Sequence, residues 1–454
     1  MHANSPSALL NAPLAGGRFM RVPMRIFLAA LAAAVAVAAA PARAQVRLPS
    51  VQLPVLPTQK LTQPIGQIAG NTLEQLSDVR HQLIASLIRA NPRTLAADAH
   101  GNPIVRDELL AASPSPRAME AALAMGFKII REQSIEELDI HLVVLQPPAG
   151  MRITKALQKL RDADPGAGFD FNHVYTGGGN TDLRGGLQGA APPQTSAAAS
   201  DTRIIPTGVR IGLLDSGVDV THPVFQDAVI HSWGCQNRSV AGAHGTAVAS
   251  LLAGWASGFH GVLLKAEVYA ADVYCGEPTG GSVDALAAAF AWLAQQRVAV
   301  INVSLVGPDN AALAQIVRAL TARGYLLVAA VGNDGPAAAP LYPAAYPRVI
   351  GVTAVDAHRR VLLEAGRGNQ VMFAAPGADI NAAAAGGKYS PVRGTSFAAP
   401  IVAALLAETM PVPDVAASDA AVQALIRQAV DLGPPGRDLT YGYGLVGVER
   451  ISAP

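Results

Sequence analysis

The second half of the chain alternates short apolar runs with helical stretches, and no other feature constrains the fold as strongly. From residue 208 onward, helical stretches such as SVDALAAAFAWLAQQ and NAALAQIVRALTAR separate apolar runs such as VRIGLLD, AEVYAADVY, VAVINVSL, YLLVAAVG and RVIGVTAV. Strands that are apolar throughout suit a parallel sheet with helices on both faces. Half of the 454 residues are hydrophobic and 15% are charged, which is enough for a large core. We therefore predict an α/β domain over residues 204–454, with a doubly wound, mostly parallel sheet.

A smaller unit precedes this domain. Between residues 101 and 175, strand and helix periods follow each other in the order β-α-β-β-α-β. Ser115, Pro116 and Gly126 have the positions of an N-cap, a first helical residue and a C-terminal stop around the first helix. The predicted strands are RDELLAA, FKIIREQS, DIHLVVLQ and FDFNHVY, and the predicted helices are SPRAMEAALAMG and RITKALQKLRDAD. This order predicts a small α+β domain with a ferredoxin-like plan.

Two segments have the composition of linkers. Residues 45–100 begin rich in Pro and Gln, and a short helix is predicted over residues 72–90. Residues 176–203 hold many Gly, Ala, Ser and Thr and few large apolar side chains. We expect the second segment to be flexible and accessible to proteases.

The N-terminus has the pattern of a signal peptide. Arg18, Arg21 and Arg25 precede the apolar run 26–40, and Pro41-Ala42-Arg43-Ala44 resembles a cleavage site of the A-x-A type. We predict a signal peptide over residues 1–44 and a secreted or periplasmic protein, with an N-terminal membrane anchor as the alternative. No other 20-residue apolar span follows, so we expect no further membrane anchor. A formal net charge of +1 does not indicate nucleic acid as a partner.

The chain contains two cysteines, Cys235 and Cys275. In an exported protein a lone pair favours a disulfide, which would stabilise the fold by about 4 kcal/mol in the chain-entropy model. Two buried free thiols are the alternative.

Four polar residues recur where strands end or helices begin. Asp215 ends an apolar strand, and His244 precedes Gly-Thr and a helical run. Asn333 lies just past a strand, and Ser396 stands in GTS before a helix. Each position alone has an ordinary structural explanation, such as a cap or a turn. The ordered set of four is far more specific, because ligand and catalytic sites gather at the carboxyl ends of parallel strands.

These motifs resemble the subtilisin-like serine proteases. The matching segments are LLDSGVD, HGTAVAS, NVSLVGP, AAVGNDG and GTSFAAP, over about residues 205–450, in the chain order Asp, His, Ser. The small domain, over residues 101–175, resembles the propeptide of this family. The resemblance implies an exported serine endopeptidase, made as a self-processing zymogen, that acts on proteins or peptides. The alternatives are a pseudo-protease used for binding and an esterase of the α/β-hydrolase type, which requires G-x-S-x-G and a different triad order.

The resemblance also implies roles for the four residues. Ser396 is the expected nucleophile, His244 its general base, and Asp215 the group that orients the imidazole. Asn333 is expected to donate its amide to the oxyanion, together with the Ser396 backbone N–H. Pro400 is expected early in the following helix, where a backbone N–H is not yet needed.

Substrate binding is expected at Ser304, Leu305, Val306 and Gly307, which by resemblance line the S1 pocket and pair with an extended peptide. Val306 stands where glycine is common in the family, which favours a small or medium P1 residue, the residue whose carbonyl is attacked. Tyr175 is the expected propeptide cleavage residue and favours an aromatic P1. We therefore predict a broad apolar preference.

No cofactor and no metal is expected to be required, and the inhibitory propeptide is the expected intramolecular partner of a monomer. Structural calcium is left open. The segment after His244 that carries a calcium loop in many relatives has no Asn or Asp here. Calcium needs oxygen ligands, and Asp219 and Asp227 alone do not make a site.

Overall fold

The structure is a computed structural model that describes residues 80–177, 207–237 and 240–451. The predicted signal peptide, the first part of the first linker and most of the second linker lie outside the described residues. Within these three ranges, no helix is both long and apolar enough to cross a membrane.

The N-terminal part of the described chain forms a five-stranded antiparallel sheet with two helices on one face. Its strands pair in the order β1-β2-β4-β3, and β5 pairs with β2. The predicted β-α-β-β-α-β order is present, and β1 adds a strand before the predicted domain start at residue 101. The elements are α1 (described over residues 80–90), β1 (Leu95–Ala97), β2 (Pro103–Ala112), α2 (Pro116–Ala124), β3 (Lys128–Ile135), β4 (Ile140–Gln146), α3 (Ile153–Ala163), β5 (Asp170–His173) and β6 (Thr176–Gly177).

Ser115 and Pro116 begin α2 as predicted, since the Ser115 side chain accepts a hydrogen bond from the Ala118 N–H. We refer to residues 95–177 as the small domain.

The second domain is built on seven parallel strands, which confirms the predicted α/β class. Their order is β16-β15-β14-β12-β7-β11-β8, and every neighbouring pair is parallel. The chain winds outward in both directions from β7, so the end of β7 is the place where a site is expected. The strands are β7 (Arg210–Asp215), β8 (Val229–Trp233), β9 (Trp255–Ala256), β10 (Phe259–His260), β11 (Glu267–Asp272), β12 (Val300–Val303), β13 (Leu305–Val306), β14 (Leu326–Ala330), β15 (Ile350–Val355), β16 (Val371–Pro376), β17 (Ile380–Ala384) and β18 (Lys388–Val392).

Helices cover both faces of this sheet. Leu213 belongs to the core cluster shared with α4 and α7, whereas its neighbour Leu214 belongs to the cluster shared with α5 and α6. Successive side chains of a strand point to opposite faces, so these strands are apolar throughout because both faces are buried. The helices are α4 (Ala243–Ala253), α5 (Val283–Gln295), α6 (Ala311–Ala322), α7 (Thr395–Ala407) and α8 (Val415–Gln428).

The small domain packs its open sheet face onto α5 and α6. Leu142 and Val144 of β4 join the core cluster of those helices, whereas Val143 and Leu145 face α2 and α3. The two domains therefore share one apolar core, and the segment that follows β5 is held next to the end of β7.

Candidate active site

Asp215 and His244 form a hydrogen-bonded pair, in which the carboxylate is buried and the imidazole is partly exposed. Asp215 is the last residue of β7 and 1% exposed, and His244 is the second residue of α4. The His244 Nδ1 lies 2.8 Å from Oδ1 and 2.9 Å from Oδ2 of Asp215. Burial alone lowers the pKa of His244, but the charge of Asp215 and the hydrogen bond to it raise this pKa above its ordinary value. The pair thus holds the imidazole with Nε2 as the nitrogen left for chemistry, and among the described residues Nε2 has no hydrogen-bond partner.

Ser216 supports this pair and was missed at the sequence level. Its N–H donates to Asp215 Oδ1 at 2.7 Å, and its Oγ accepts from the Gly245 N–H at 2.9 Å. The side chain therefore ties the end of β7 to the start of α4. The Asp-Ser-Gly turn was a signal for this role, because a serine next to a strand end often bonds nearby backbone.

Ser396 begins the helix that packs beside His244. It is the second residue of α7 and fully buried, and the neighbouring Phe397 ring lies 5.4 Å from the His244 ring. The Ser396 hydroxyl donates to the Ser304 carbonyl at 3.3 Å. The four motifs therefore meet at one edge of the sheet.

Pro400 lies in α7 as predicted, but the reason given for it, that a backbone N–H is not yet needed at its position, was wrong. Pro400 is the sixth residue of α7, so its missing N–H is the one that would have bonded to the Ser396 carbonyl. The Ser304 hydroxyl donates to that carbonyl instead, at 3.0 Å. A proline at this position therefore leaves the Ser396 carbonyl free to accept the hydrogen bond from Ser304.

Asn333 lies beside the start of α7. Its Oδ1 accepts the Thr395 N–H at 3.1 Å, which leaves Nδ2 as a donor next to Ser396. Gly394, just before the helix, has a φ of 136°, a conformation that favours glycine.

The end of the small domain lies in a cleft between two walls. β6 pairs antiparallel with β13, so that Gly177 faces Leu305 and Thr176 faces Val306. On the other wall, the Tyr274 hydroxyl donates to the Tyr175 carbonyl at 3.0 Å. A Cβ on Gly177 would lie 3.7 Å from His244 Nε2. We call residues 175–177 the tail, and it is bound as an added strand beside His244.

Tyr175 is a buried anchor of this tail. Its ring lies against Gly307, where a Cβ would come within 2.7 Å of the ring, and its hydroxyl donates to the Pro308 carbonyl. Burial raises the pKa of the Tyr175 hydroxyl well above its ordinary value. Gly307, predicted as a substrate-binding residue, therefore makes room for an aromatic ring.

Cys235 and Cys275 are paired at the rim of the cleft, with their Cα atoms 5.2 Å apart. Cys275 directly follows Tyr274, which contacts the tail. The pair therefore braces the wall of the cleft opposite β13.

Comparisons with known proteins agree with this geometry. Residues 206–444 match the model of the subtilase family. The chain is 30% identical over 246 residues to minor extracellular protease Epr of Bacillus subtilis, a match that covers 52% of this chain and 37% of Epr. It is 34% identical over 211 residues to subtilisin Savinase of Lederbergia lenta, covering 45% of this chain and 77% of that protein. The chain thus spans little more than a third of the length of Epr.

Among solved structures, the fold resembles fervidolysin from Fervidobacterium pennivorans, a keratinolytic enzyme related to subtilisin. The TM-score is 0.60 at 19% identity, and the match covers 76% of this chain and 61% of that one. At this identity the likeness concerns the fold alone.

Proposed function

The chain belongs to the subtilase family of serine proteases, and on this basis we propose that it is a serine endopeptidase that uses Asp215, His244 and Ser396. The observation that carries the proposal is the Asp215–His244 pair, whose imidazole keeps Nε2 free beside α7, the helix that holds Ser396 as its second residue.

The proposed reaction follows from this geometry. His244 Nε2 accepts the proton of the Ser396 hydroxyl as Oγ attacks the peptide carbonyl, and Asp215 stabilises the imidazolium that results. Asn333 Nδ2 and the Ser396 N–H donate to the oxyanion, supported by the positive end of α7. The imidazolium then protonates the leaving amine. Water releases the acyl group by the same steps in reverse.

The small domain acts in this proposal as an inhibitory propeptide that the enzyme removes itself. The support is the tail, which pairs with β13 and lies beside His244 as an extended substrate would. Tyr175 was the expected cleavage residue, but the strand register favours a bond further along. Thr176 faces Val306 and Gly177 faces Leu305, so the tail runs toward Ser304 and Ser396 and has not reached them at its last residue. We therefore propose cleavage beyond residue 177, at the start of the second linker.

Export and a disulfide complete the proposal. The N-terminal sequence supports export, and the pairing of Cys235 with Cys275 supports an oxidised bond. Mass mapping of the unreduced protein should find the two cysteines linked. Recovery of both as alkylatable thiols would contradict this.

Active-site labelling tests the central proposal. The processed protein is treated with a fluorophosphonate and separately with casein, and the unprocessed Ser396→Ala precursor serves as the control. We expect one label on Ser396 and casein hydrolysis, with both absent in the control. A processed chain that neither takes the label nor cleaves casein would make the pseudo-protease the better explanation.

A further inference from the structure

The wall of the cleft opposite β13 holds both backbone groups of Tyr175. The Tyr175 N–H donates to the Gly281 carbonyl at 2.8 Å. The Tyr175 carbonyl accepts a hydrogen bond from the Tyr274 hydroxyl at 3.0 Å. The residues next to Tyr175 and Gly281, Val174 and Ser282, form an isolated antiparallel bridge. This wall therefore pairs with the start of the tail much as a second strand would.

A side chain makes one of the two bonds of this pairing. In a regular antiparallel pair, two facing residues exchange both of their N–H···O bonds. The Gly281 N–H is not available for such an exchange, because it donates to the Val273 carbonyl at 2.8 Å within its own wall. An acceptor that loses water and gains no donor is costly. The Tyr274 hydroxyl supplies the donor that the backbone of this wall lacks.

Two adjacent glycines make room for the bond. A Cβ on Gly281 would collide with the Tyr175 carbonyl oxygen, and a Cβ on Gly280 would collide with the Cα of Tyr274. Gly281 also has a φ of 77°, a conformation that favours glycine. The wall is therefore shaped for a close approach of the tail backbone to Tyr274.

Asp272 holds Tyr274 in place through the backbone. It is the last residue of β11, is buried, and pairs in register with Asp215 of the neighbouring strand. Its Oδ1 accepts the N–H groups of Tyr274 and Cys275, both at 2.9 Å. An aspartate that bonds the backbone two and three residues further on fixes the turn between them. Since Cys275 is also paired with Cys235, the turn that presents Tyr274 is held at both ends.

The surroundings of Tyr274 keep its hydroxyl a donor. Burial and the charge of Asp215 raise the pKa of the Tyr274 hydroxyl, and the charge of Arg80 and the Gly177 N–H oppose this rise without cancelling it. A protonated phenol donates a hydrogen bond, and every peptide unit offers a carbonyl that accepts one. The contact therefore depends on the backbone of the bound segment and not on its side chain.

We propose that the Tyr274 hydroxyl binds a backbone carbonyl of extended substrates, at the place that Tyr175 occupies in the tail, and that Asp272 is the positioning residue that holds Tyr274 there. The inference rests on the proposed protease function, in which the tail lies in the cleft as a substrate would. Peptides that reach this place gain the bond whatever their sequence there, and shorter peptides do not.

Peptides of increasing length test the role of Tyr274. Processed wild-type enzyme and Tyr274→Phe are assayed on nested peptides that share one scissile bond and carry from two to six residues before it. Tyr175 lies two residues before Gly177, and the proposed cleavage lies beyond Gly177, so at least three residues are needed to reach Tyr274.

The expected result is a step in the effect of Tyr274→Phe with peptide length. The ratio of wild-type to variant kcat/KM should be about 1 for the shortest peptide. It should rise to about 5- to 150-fold at one length, the range for a buried acceptor left without its donor, and stay there for longer peptides. Normal activity on the shortest peptide shows that the variant is folded. A ratio that does not change with length would overturn the proposal.

Tyr325→Phe is the matched control. The Tyr325 hydroxyl also donates to a backbone carbonyl, that of Ala294 at 3.2 Å, but near the C-terminal end of α5 and not in the cleft. Its loss removes the same atom from another buried tyrosine. The ratio of wild-type to Tyr325→Phe kcat/KM should therefore show no step with peptide length.

A double-mutant cycle tests the role of Asp272. Asp272→Asn keeps an oxygen that can accept both N–H groups and should retain the preference of the wild type for long peptides, whereas Asp272→Ala should lose most of it. If Asp272 acts through Tyr274, Asp272→Ala should lower kcat/KM for the longest peptide much less in Tyr274→Phe than in the wild type. Equal losses in both backgrounds would overturn the positioning role.

Hydrogen exchange tests the same bond without catalysis. In the full-length Ser396→Ala chain, Tyr274→Phe should speed exchange of the Tyr175 N–H by at least about fivefold, because one of the two bonds that hold the backbone of residue 175 to this wall is lost. Tyr325→Phe should match the parent. Unchanged exchange in Tyr274→Phe would overturn the proposal.

The two proposals can fail separately. If Ser396 is labelled and peptides are cleaved with no step in the Tyr274→Phe ratio, only this inference fails. If Ser396 is not labelled and no peptide is cleaved, the protease proposal fails, and hydrogen exchange still decides whether Tyr274 holds the tail.

Discussion

The two sheets of the molecule are covered in different ways. The seven-stranded sheet has its own helices on both faces, α4 and α7 on one and α5 and α6 on the other. The small domain covers one face with α2 and α3 and leaves the other to α5 and α6 of its neighbour. Burying a side chain such as Leu142 contributes about 1.5–3 kcal/mol. The small domain therefore depends on its neighbour to bury one of its two sheet faces, whereas the larger sheet does not.

Polar contacts between the two regions are arranged around helix starts. The Asp170 carboxylate accepts the Ala311 N–H at the start of α6, at 2.9 Å. Arg131 of β3 pairs with Asp284 in the first turn of α5, at 2.7 Å. Negative groups are favoured at helix N-termini, so these contacts orient an interface that is held mainly by apolar packing.

The largest effect is expected when the peptide bond between the two regions is never cleaved. Ser396→Ala should accumulate as a full-length precursor, because loss of the nucleophile costs about 2 × 10⁶ in kcat in subtilisin. His244→Ala should behave alike, whereas Asn333→Ala should mature slowly, since it loses one oxyanion donor and about 10²–10³ in kcat. Mass spectrometry after expression in a protease-deficient host distinguishes these outcomes. Normal maturation of Ser396→Ala would mean that another protease makes the cut.

The second-largest effect is expected at the Asp215–His244 pair, beside which the tail lies. A protonated imidazole cannot act as the base, so activity should rise with pH through a His244 pKa that Asp215 holds above its ordinary value. The tail adds to the burial that lowers the His244 pKa. Removal of the tail should therefore not shift the acid limb, the low-pH side of the activity profile, to lower pH. Asp215→Asn should lower kcat by about 10⁴, as the same change does in trypsin, and shift the acid limb to lower pH. The pH profile of kcat/KM for both proteins checks this, and an unshifted limb would contradict it.

The sequence was sufficient to predict the parts of the fold and of the site that depend on a local pattern of residues. The parallel sheet follows from strands that are apolar on both faces, as Leu213 and Leu214 illustrate. Asp215, His244, Asn333 and Ser396 stand in short motifs, and the structure brings all four to one edge of the sheet. Their catalytic roles remain proposals.

Contacts between distant segments could not be predicted in the same way. Arg80 of α1 and Asp334 form an ion pair at 3.3 Å, although they are far apart in the chain and no periodicity links them. Strand β8 and the β17–β18 hairpin were also missed, because partly exposed or Ala-rich strands give a weak apolar pattern. The role of Pro400 depends on Ser304, a residue on another segment of the chain.

Two leucines on opposite faces of β4 test whether the two faces of the small sheet are buried separately. Leu145 faces the small domain's own helices, and Leu142 faces α5 and α6. Each Leu→Ala change should cost about 2–5 kcal/mol, and the changes are made in the Ser396→Ala precursor. Leu145→Ala should speed hydrogen exchange in β2–β5 alone, whereas Leu142→Ala should also speed it in α5 and α6. Identical exchange patterns for the two variants would show that the two faces are not separate.

The smallest effect is expected from the ion pairs that join the regions. Arg131 is 47% exposed, so solvent screens its pairs with Asp284 of α5 and Glu108 of β2, and their loss should cost about 0.2–1 kcal/mol. In the Ser396→Ala precursor, Arg131→Ala should therefore speed exchange in β2–β5 by about 1.5- to 5-fold. Arg348→Ala removes a pair that lies wholly within the larger domain, with Asp419, and should leave that exchange unchanged.

The pH dependence of hydrogen exchange in β2–β5 shows whether the charge of Arg131 causes this effect. Burial raises the pKa of Asp284, but hydrogen bonds from Ser282 and Asn172 and the charge of Arg131 lower it below the ordinary value. A lowered pKa in the docked state means that docking is favoured above the ordinary carboxylate pKa and weakens as pH falls through the lowered one. Removing Arg131 moves the Asp284 pKa upward, so the acid-induced increase in exchange should begin at higher pH in Arg131→Ala than in the parent. The same onset in both proteins would mean that Arg131 acts through packing of its side chain rather than through its charge.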